Sequence, residues 1–398
     1  MRLLIHDFAG HPFAVQLSRA LARRGHTVLH VYAAANPTPK GALAPKPDDP
    51  DGLAIEGLGV NGRSAGGAYA RDNFFSRYRY ERAYGRALAA RVGLWRPEVA
   101  VFCNTPLDAL VPACRAGREF GVRTVLWMQD LLGLAAFRIL ARRLPILGAA
   151  IGWHHIRLER RLARAADAVV AITGDFVPIL VGWGVPRARI AVIANWGPLG
   201  EIAPGPRDNE WARAHALGAR PVFLYAGMMG MKHDPGLILD LARHFGARAD
   251  VVVVSEGRGA DILRAAAATE GLGNLLILPF QPYDRLGEVL AAGDVMLAVL
   301  EAEAGAFAVP SKVLGYFCAG RPVLAAIPAE NLAARLIVET GAGVVVAPGD
   351  RDSWLAQAER LLADAPARAR MAQAGRAHAE AAFDVEAIAA RFEAVLGA

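Results

Sequence analysis

Short apolar runs rich in Val, Ile and Leu recur along the whole chain, each followed by a longer stretch with helical spacing. In the first half they are Leu3 to Ile5, Thr27 to Val31, Val99 to Phe102, Thr124 to Met128, Ala168 to Ile172 and Ile190 to Ile193. In the second half they are Val222 to Tyr225, Val251 to Val254, Leu275 to Leu278, Val295 to Val299, Val323 to Ala326 and Gly343 to Val346. These runs are apolar at every position, not at every second one, which marks strands covered on both faces. Helices between such strands make the sheets parallel. The pattern predicts an α/β protein with two doubly wound, Rossmann-like parallel sheets. Between them Trp196 to Arg207, WGPLGEIAPGPR, is rich in Pro and Gly and reads as a linker. The expected domains are residues 1–197 and 208–384. The prolines of 36–50 read as a surface loop, and Trp354 to Leu396 reads as helical with a break near Phe383-Asp384.

A length of 398 residues fits two domains better than one core. Cys103, Cys114 and Cys318 are odd in number and far apart, which suits neither a disulfide framework nor a zinc site. A reducing compartment is expected. The opening MRLLIHDFAG places His6 and Asp7 where a signal peptide would be apolar, so the expectation is a cytoplasmic protein. No apolar run reaches the roughly 18 residues of a membrane span. The formal charge is +6, and the segment 133–164 alone carries Arg138, Arg142, Arg143, Arg157, Arg160, Arg161 and Arg164 against Glu159, also 7 − 1 = +6. With apolar Leu144 to Trp153 in its middle, this segment is either a solvated basic helix or a contact with anionic membrane. The basic charge is local and not interleaved with stacking aromatics, which argues against a nucleic-acid partner.

Candidate chemistry lies at the carboxyl ends of the expected strands, where ligands collect in open parallel sheets. The first turn contains Gly10, which permits a special backbone conformation or close ligand approach, and His11, a hydrogen-bonding group or a helix cap. A single glycine is not a dinucleotide fingerprint. Gln129-Asp130 follows a buried strand, and Asp130 is either an acceptor-orienting carboxylate or an N-cap. Asn104 is a weaker candidate of the same kind. Gly227 ends another strand, and Lys232 follows close to the next helix, where an ammonium can neutralise a diphosphate. Ser255-Glu256-Gly257-Arg258-Gly259 and Pro279-Phe280-Gln281-Pro282-Tyr283 are further strand-end turns. Most informative is Phe307 to Ile327, FAVPSKVLGYFCAGRPVLAAI, in which Pro310-Ser311-Lys312 opens a helix. A helix start offers unpaired N–H groups to an anion, and here a hydroxyl and an ammonium accompany them.

These motifs resemble GT-B glycosyltransferases, family 4 in particular, over nearly the whole chain. The resemblance implies two Rossmann-like domains facing across a cleft, an acceptor domain followed by a donor domain, with 385–398 packing back on the first. It implies a nucleotide-sugar donor, UDP- or GDP-linked, with Lys232, Ser311 and Lys312 holding the diphosphate and Gly227 and Pro310 lining it. Asp130, His11 and Gly10 would lie near the sugar and acceptor; Glu256, Gln281 and Tyr283 would border the nucleotide. Retention of configuration and no metal or other cofactor are implied, as is a glycolipid or polysaccharide acceptor at the inner membrane face. The chain departs from the family pattern at Met228, where an arginine is usual, and at Phe307 and Gly315, where two glutamates are usual. Glu301 and Glu303 stand upstream as possible substitutes. These departures keep two rivals open: a sugar-nucleotide epimerase of the same fold, and a non-catalytic sugar-nucleotide-binding protein.

Overall fold

A computed structural model describes residues 1–36, 38, 40–60, 74–230, 233–302 and 311–397. The chain forms two compact units, one of residues 1–195 with 385–398 and one of residues 196–384. In the first, strands β1 (Arg2–Asp7), β2 (Thr27–Ala33), β3 (Leu53–Leu58), β4 (Val99–Cys103), β5 (Arg123–Met128), β6 (Ala168–Ala171) and β7 (Ile190–Val192) pair in the order β3-β2-β1-β4-β5-β6-β7. In the second, β8 (Val222–Ala226), β9 (Asp250–Val254), β10 (Leu275–Leu278), β11 (Val295–Val299), β12 (Val323–Ala326) and β13 (Gly343–Val346) pair in the order β10-β9-β8-β11-β12-β13. Every pairing is parallel. The central strands β4, β8, β9 and β11 are buried at every residue, as the continuous apolar runs require.

β3 is the strand that the apolar pattern does not announce. It is an edge strand paired only with β2, and its sequence LAIEGL keeps Ala54 exposed and Glu56 half-buried. One side of the first unit is closed by the helix Val385–Gly397, which buries Ile388, Ala389, Phe392 and Leu396. The Phe392 ring meets Trp127 of β5 edge-on at 4.8 Å between centroids. Glu393 takes hydrogen bonds from Arg24 (2.7 Å) and His26 (2.7 Å) at the rim. Pairs at a partly exposed rim contribute less than burial of the apolar face, which holds the helix.

The helices Leu132–Arg143 and Pro145–Ala165 form a hairpin with only Leu144 between them. Glycine lets them approach: a Cβ on Gly152 would lie 2.8 Å from Phe137 Cβ, and one on Gly133 would lie 2.8 Å from Ile156 Cα. Gly152→Leu should therefore force the helices apart at a cost of about 3 kcal/mol. Faster proteolytic cleavage near Leu144 is the expected readout, and an unchanged cleavage rate would show that the hairpin adapts.

Candidate functional site

In each sheet the strand order reverses at one point, between β1 and β4 in the first unit and between β8 and β11 in the second. At such a reversal the flanking helices leave to opposite faces and a crevice opens beyond the strand ends.

In the second unit this crevice is built by two tyrosines and a lysine. β8 and β11 are in register at Phe223 with Val295 and Leu224 with Met296, while β8 stays paired with β9 through Ala226. Tyr316, fully buried, bridges the gap: its hydroxyl accepts from Ala226 N–H at 3.2 Å and lies 3.1 Å from Leu297 O. Burial pushes the Tyr316 hydroxyl pKa up, so it stays a neutral donor and acceptor. One helical turn earlier on Lys312–Cys318, Lys312 Nζ sits 3.9 Å from the Tyr225 ring centroid and donates to the Tyr225 hydroxyl. The Tyr225 hydroxyl in turn donates to Met228 O at 2.9 Å, which ties the lysine to the loop after β8. Gly227 in that loop has φ +129°, and a Cβ there would come within 3.2 Å of Lys312 Cε. The backbone angle requires glycine, and a side chain there would also press on the lysine.

The neighbouring loop is locked to the first. Met229 N–H donates to Glu256 O at 3.3 Å, Gly259 N–H donates to Met229 O at 3.0 Å, and a Cβ on Gly257 would crowd Met228 Sδ at 3.1 Å. Ser311 stands exposed at the head of the Lys312 helix and makes no capping hydrogen bond. The Gln281 side-chain oxygen accepts from Trp211 Nε1 and its amide donates to Pro279 O, both at 2.9 Å. Tyr283 begins a short 3₁₀ turn, Tyr283–Arg285, and is half-buried. Lys232, Pro310, Glu303 and Phe307 lie outside the described residues.

In the first unit, Asp7 ends β1 and Asn104 follows β4, so both reach the reversal point. Asp7 is fully buried and accepts from the backbone N–H of His11, from Ala9 N–H at 3.3 Å, from His11 Nδ1 at 3.2 Å and from Asn104 Nδ2 at 3.3 Å. Burial alone would raise its pKa, but the His11 charge and hydrogen bonds bring it down to about 2. His11 Nδ1 faces Asp7 and Asn104 Nδ2, the latter at 3.1 Å, and this leaves Nε2 as the ring nitrogen turned away from them. Phe13 stacks on the imidazole at 5.0 Å and holds its plane. Asn104 takes φ +49°, a strained angle that asparagine tolerates better than most residues. Gly10 has φ +75° and a Cβ there would lie 3.0 Å from Leu43 Cδ1, so the turn itself favours glycine.

Asp130 lines a small cavity of about 40 Å³ with Asn104, Thr105, Gln129 and Glu159. The N-cap role considered for Asp130 is filled by Glu159, whose two oxygens accept from Leu132 N–H and Gly133 N–H at 2.8 Å each. Burial raises the Glu159 pKa to about 7, and the nearby Asp130 adds to the shift. A larger cavity, about 450 Å³, lies among Arg118, Arg123 and Asp167 at the amino ends of β5 and β6, away from these groups. Among the described residues, no group of three His, Cys, Asp or Glu is placed to hold a metal.

Tyr225, Tyr316, Asp7 and Glu159 escape a motif-based reading. Each resembles a core or surface residue in sequence, although the four-residue spacing of Lys312 and Tyr316 is visible in hindsight.

Residues 10–196 match the family model described as Glycosyl transferase 4-like domain, and residues 208–378 match Glycosyl transferases group 1. The chain belongs to the GT-B glycosyltransferases of the family 4 type. Among curated members, it is 25% identical over 236 residues to a protein assigned to colanic acid biosynthesis as the glycosyl transferase WcaI of Escherichia coli, covering 57% of this chain and 56% of that one. It is 27% identical over 239 residues to the D-inositol 3-phosphate glycosyltransferase of Nocardiopsis dassonvillei, covering 56% and 54%. These alignments thus span about half the length of the curated relatives. The fold is shared along its length with Anabaena HepE, solved in complex with UDP-glucose, at TM-score 0.71 and 16% identity, covering 100% of this chain and 99% of that one. In this GT-B chain the two crevices at the strand reversals are the places where family chemistry is expected.

Proposed function

We propose that this chain transfers a sugar from a nucleotide diphosphate donor to a hydroxyl of a lipid-linked or surface-polysaccharide acceptor, with retention of configuration and without a metal ion. The observation that carries this reading is Lys312, held on Tyr225 beside Gly227 at the reversal point of the second unit. A fixed ammonium at a strand-end crevice stabilises the charge that develops on a departing diphosphate. Ser311 and Lys232 would join it there. In the first unit, His11 and Asp130 would orient the acceptor hydroxyl, His11 through Nε2 and with Asp7 behind it. WcaI is named for colanic acid biosynthesis, which supports a polysaccharide acceptor, and HepE was solved with UDP-glucose, which supports a UDP-linked donor. The reading places the protein on the cytoplasmic surface of a membrane through the basic segment 133–164; no helix among the described residues is long and apolar enough to cross one.

The first test is thermal. Saturating UDP or GDP should raise the melting temperature of the second unit, since a ligand at a hundred times its Kd adds about 2.7 kcal/mol. A donor panel assayed with chelator against polyprenyl-diphosphate-sugar acceptors then names the sugar. If neither nucleotide shifts the melt, and no donor is consumed, the reading fails.

A further inference from the structure

The exposed face of the helix Pro145–Ala165 changes character along its length. Ile146 is 89% exposed and Trp153 55%, with Leu144 and Leu147 also more than half exposed at the hairpin turn. At roughly 100° per residue, Ile146, Ala150, Trp153, Arg157, Arg161 and Arg164 fall on one face. All six are exposed, so this face is apolar over its first turns and basic over its last. The single acidic residue of the segment, Glu159, is turned inward onto Leu132 N–H and Gly133 N–H. The close glycine contacts to the preceding helix make the pair a stiff element.

We infer that this face seats on an anionic bilayer, with the turn Leu144–Leu147 and Trp153 entering the boundary between headgroups and acyl chains and Arg157, Arg161 and Arg164 binding lipid phosphates. The inference deepens the membrane contact proposed above and rests on it. Charge complementarity selects the occupant: the face offers apolar insertion at one end and bidentate phosphate donors at the other, with no exposed acid between them. A tryptophan at the junction suits the interfacial layer. Asp130 stands two residues before the hairpin, and Glu159 clamps the start of that hairpin from inside. Seating the hairpin on a bilayer therefore brings the Asp130 loop to the membrane surface, which favours a lipid-linked acceptor over a soluble one.

Co-sedimentation of the full chain with phosphatidylcholine vesicles, with and without phosphatidylglycerol, tests this. Binding is expected to the anionic vesicles, with Trp153 fluorescence quenched by brominated lipid; the chain has seven tryptophans, so Trp153→Phe supplies the difference signal. The double variant Ile146→Ser/Leu147→Ser should weaken binding at least tenfold. The triple variant Arg157→Gln/Arg161→Gln/Arg164→Gln should weaken it on the order of a hundredfold. If the arginine variant loses binding while the turn variant keeps it and Trp153 stays unquenched, insertion is overturned but the membrane contact stands. Absence of binding to every vesicle overturns both. Self-association abolished by the turn variant, without vesicle binding, assigns the face to a second copy and overturns the inference.

Discussion

Lys312→Ala should lower turnover on the nucleotide sugar by roughly a hundredfold to a thousandfold and remove the stabilisation by UDP or GDP. The lysine is partly buried, its ammonium lies against the Tyr225 ring, and it donates a hydrogen bond to the Tyr225 hydroxyl. A cation held in this way keeps its place before the donor arrives, so little reorganisation is left for the reaction itself. Tyr225→Phe separates positioning from charge. It retains the stacked ring but removes the hydroxyl that links Lys312 to Met228 O. A loss near tenfold is expected, mostly in KM, because the loop after β8 loosens while the charge stays. Steady-state kinetics and a nucleotide thermal shift on both variants check this. Full nucleotide stabilisation in Lys312→Ala would place the diphosphate elsewhere.

Acidification should destabilise the first unit, starting near pH 6.5. Burial lowers the His6 pKa to about 3, with Asp7 opposing and His30 assisting, and it lowers the His30 pKa to about 4. Both imidazoles are neutral in the fold. His6 donates through Nδ1 to Thr105 Oγ1 at 2.7 Å and accepts from the Tyr84 hydroxyl at 2.8 Å; His30 Nδ1 meets Ser18 Oγ at 2.8 Å. The unfolded chain takes up two protons in this window and the folded chain takes up none, so stability falls as pH falls. Glu159 acts in the opposite direction. Its folded pKa of about 7 lies above the unfolded value of 4.5, so between these values the folded chain holds the extra proton and gains stability as pH falls. Two protons against one leave a net loss of about 1.4 kcal/mol per pH unit between pH 6.5 and 4.5. Urea titrations at several pH values measure the slope. Glu159→Gln should steepen it by about one proton and His30→Asn should flatten it by about one. A stability that rises on acidification would contradict the buried neutral assignment of His6 and His30.

The strands were legible wherever both faces are covered, because Val-, Ile- and Leu-rich runs such as Val251 to Val254 have no polar alternation to confuse them. β3 was not, since an edge strand needs apolar residues on fewer sides and LAIEGL carries a glutamate and a glycine. The helical stretch after Trp354 was read with one break; a second falls at Asp364, whose carboxylate caps the next helix through Ala367 N–H at 2.8 Å. At the candidate site, Gly227 could be read from the strand it ends and Lys312 from the helix it opens. Tyr225 and Tyr316 could not, because an aromatic within a buried strand or a short helix looks like packing until its hydroxyl is traced. Gln281 is a candidate through its turn after β10, and only the structure shows that Trp211 and Pro279 engage both ends of its amide.

The helix Val385–Gly397 closes the first unit but is made after the whole of the second. While a ribosome translates residues 196–384, the nascent first unit lacks Phe392, and Trp127 packs against Phe13 without it. The second unit has all its strands before that helix emerges. Completion of the first unit thus waits until the later one has been made.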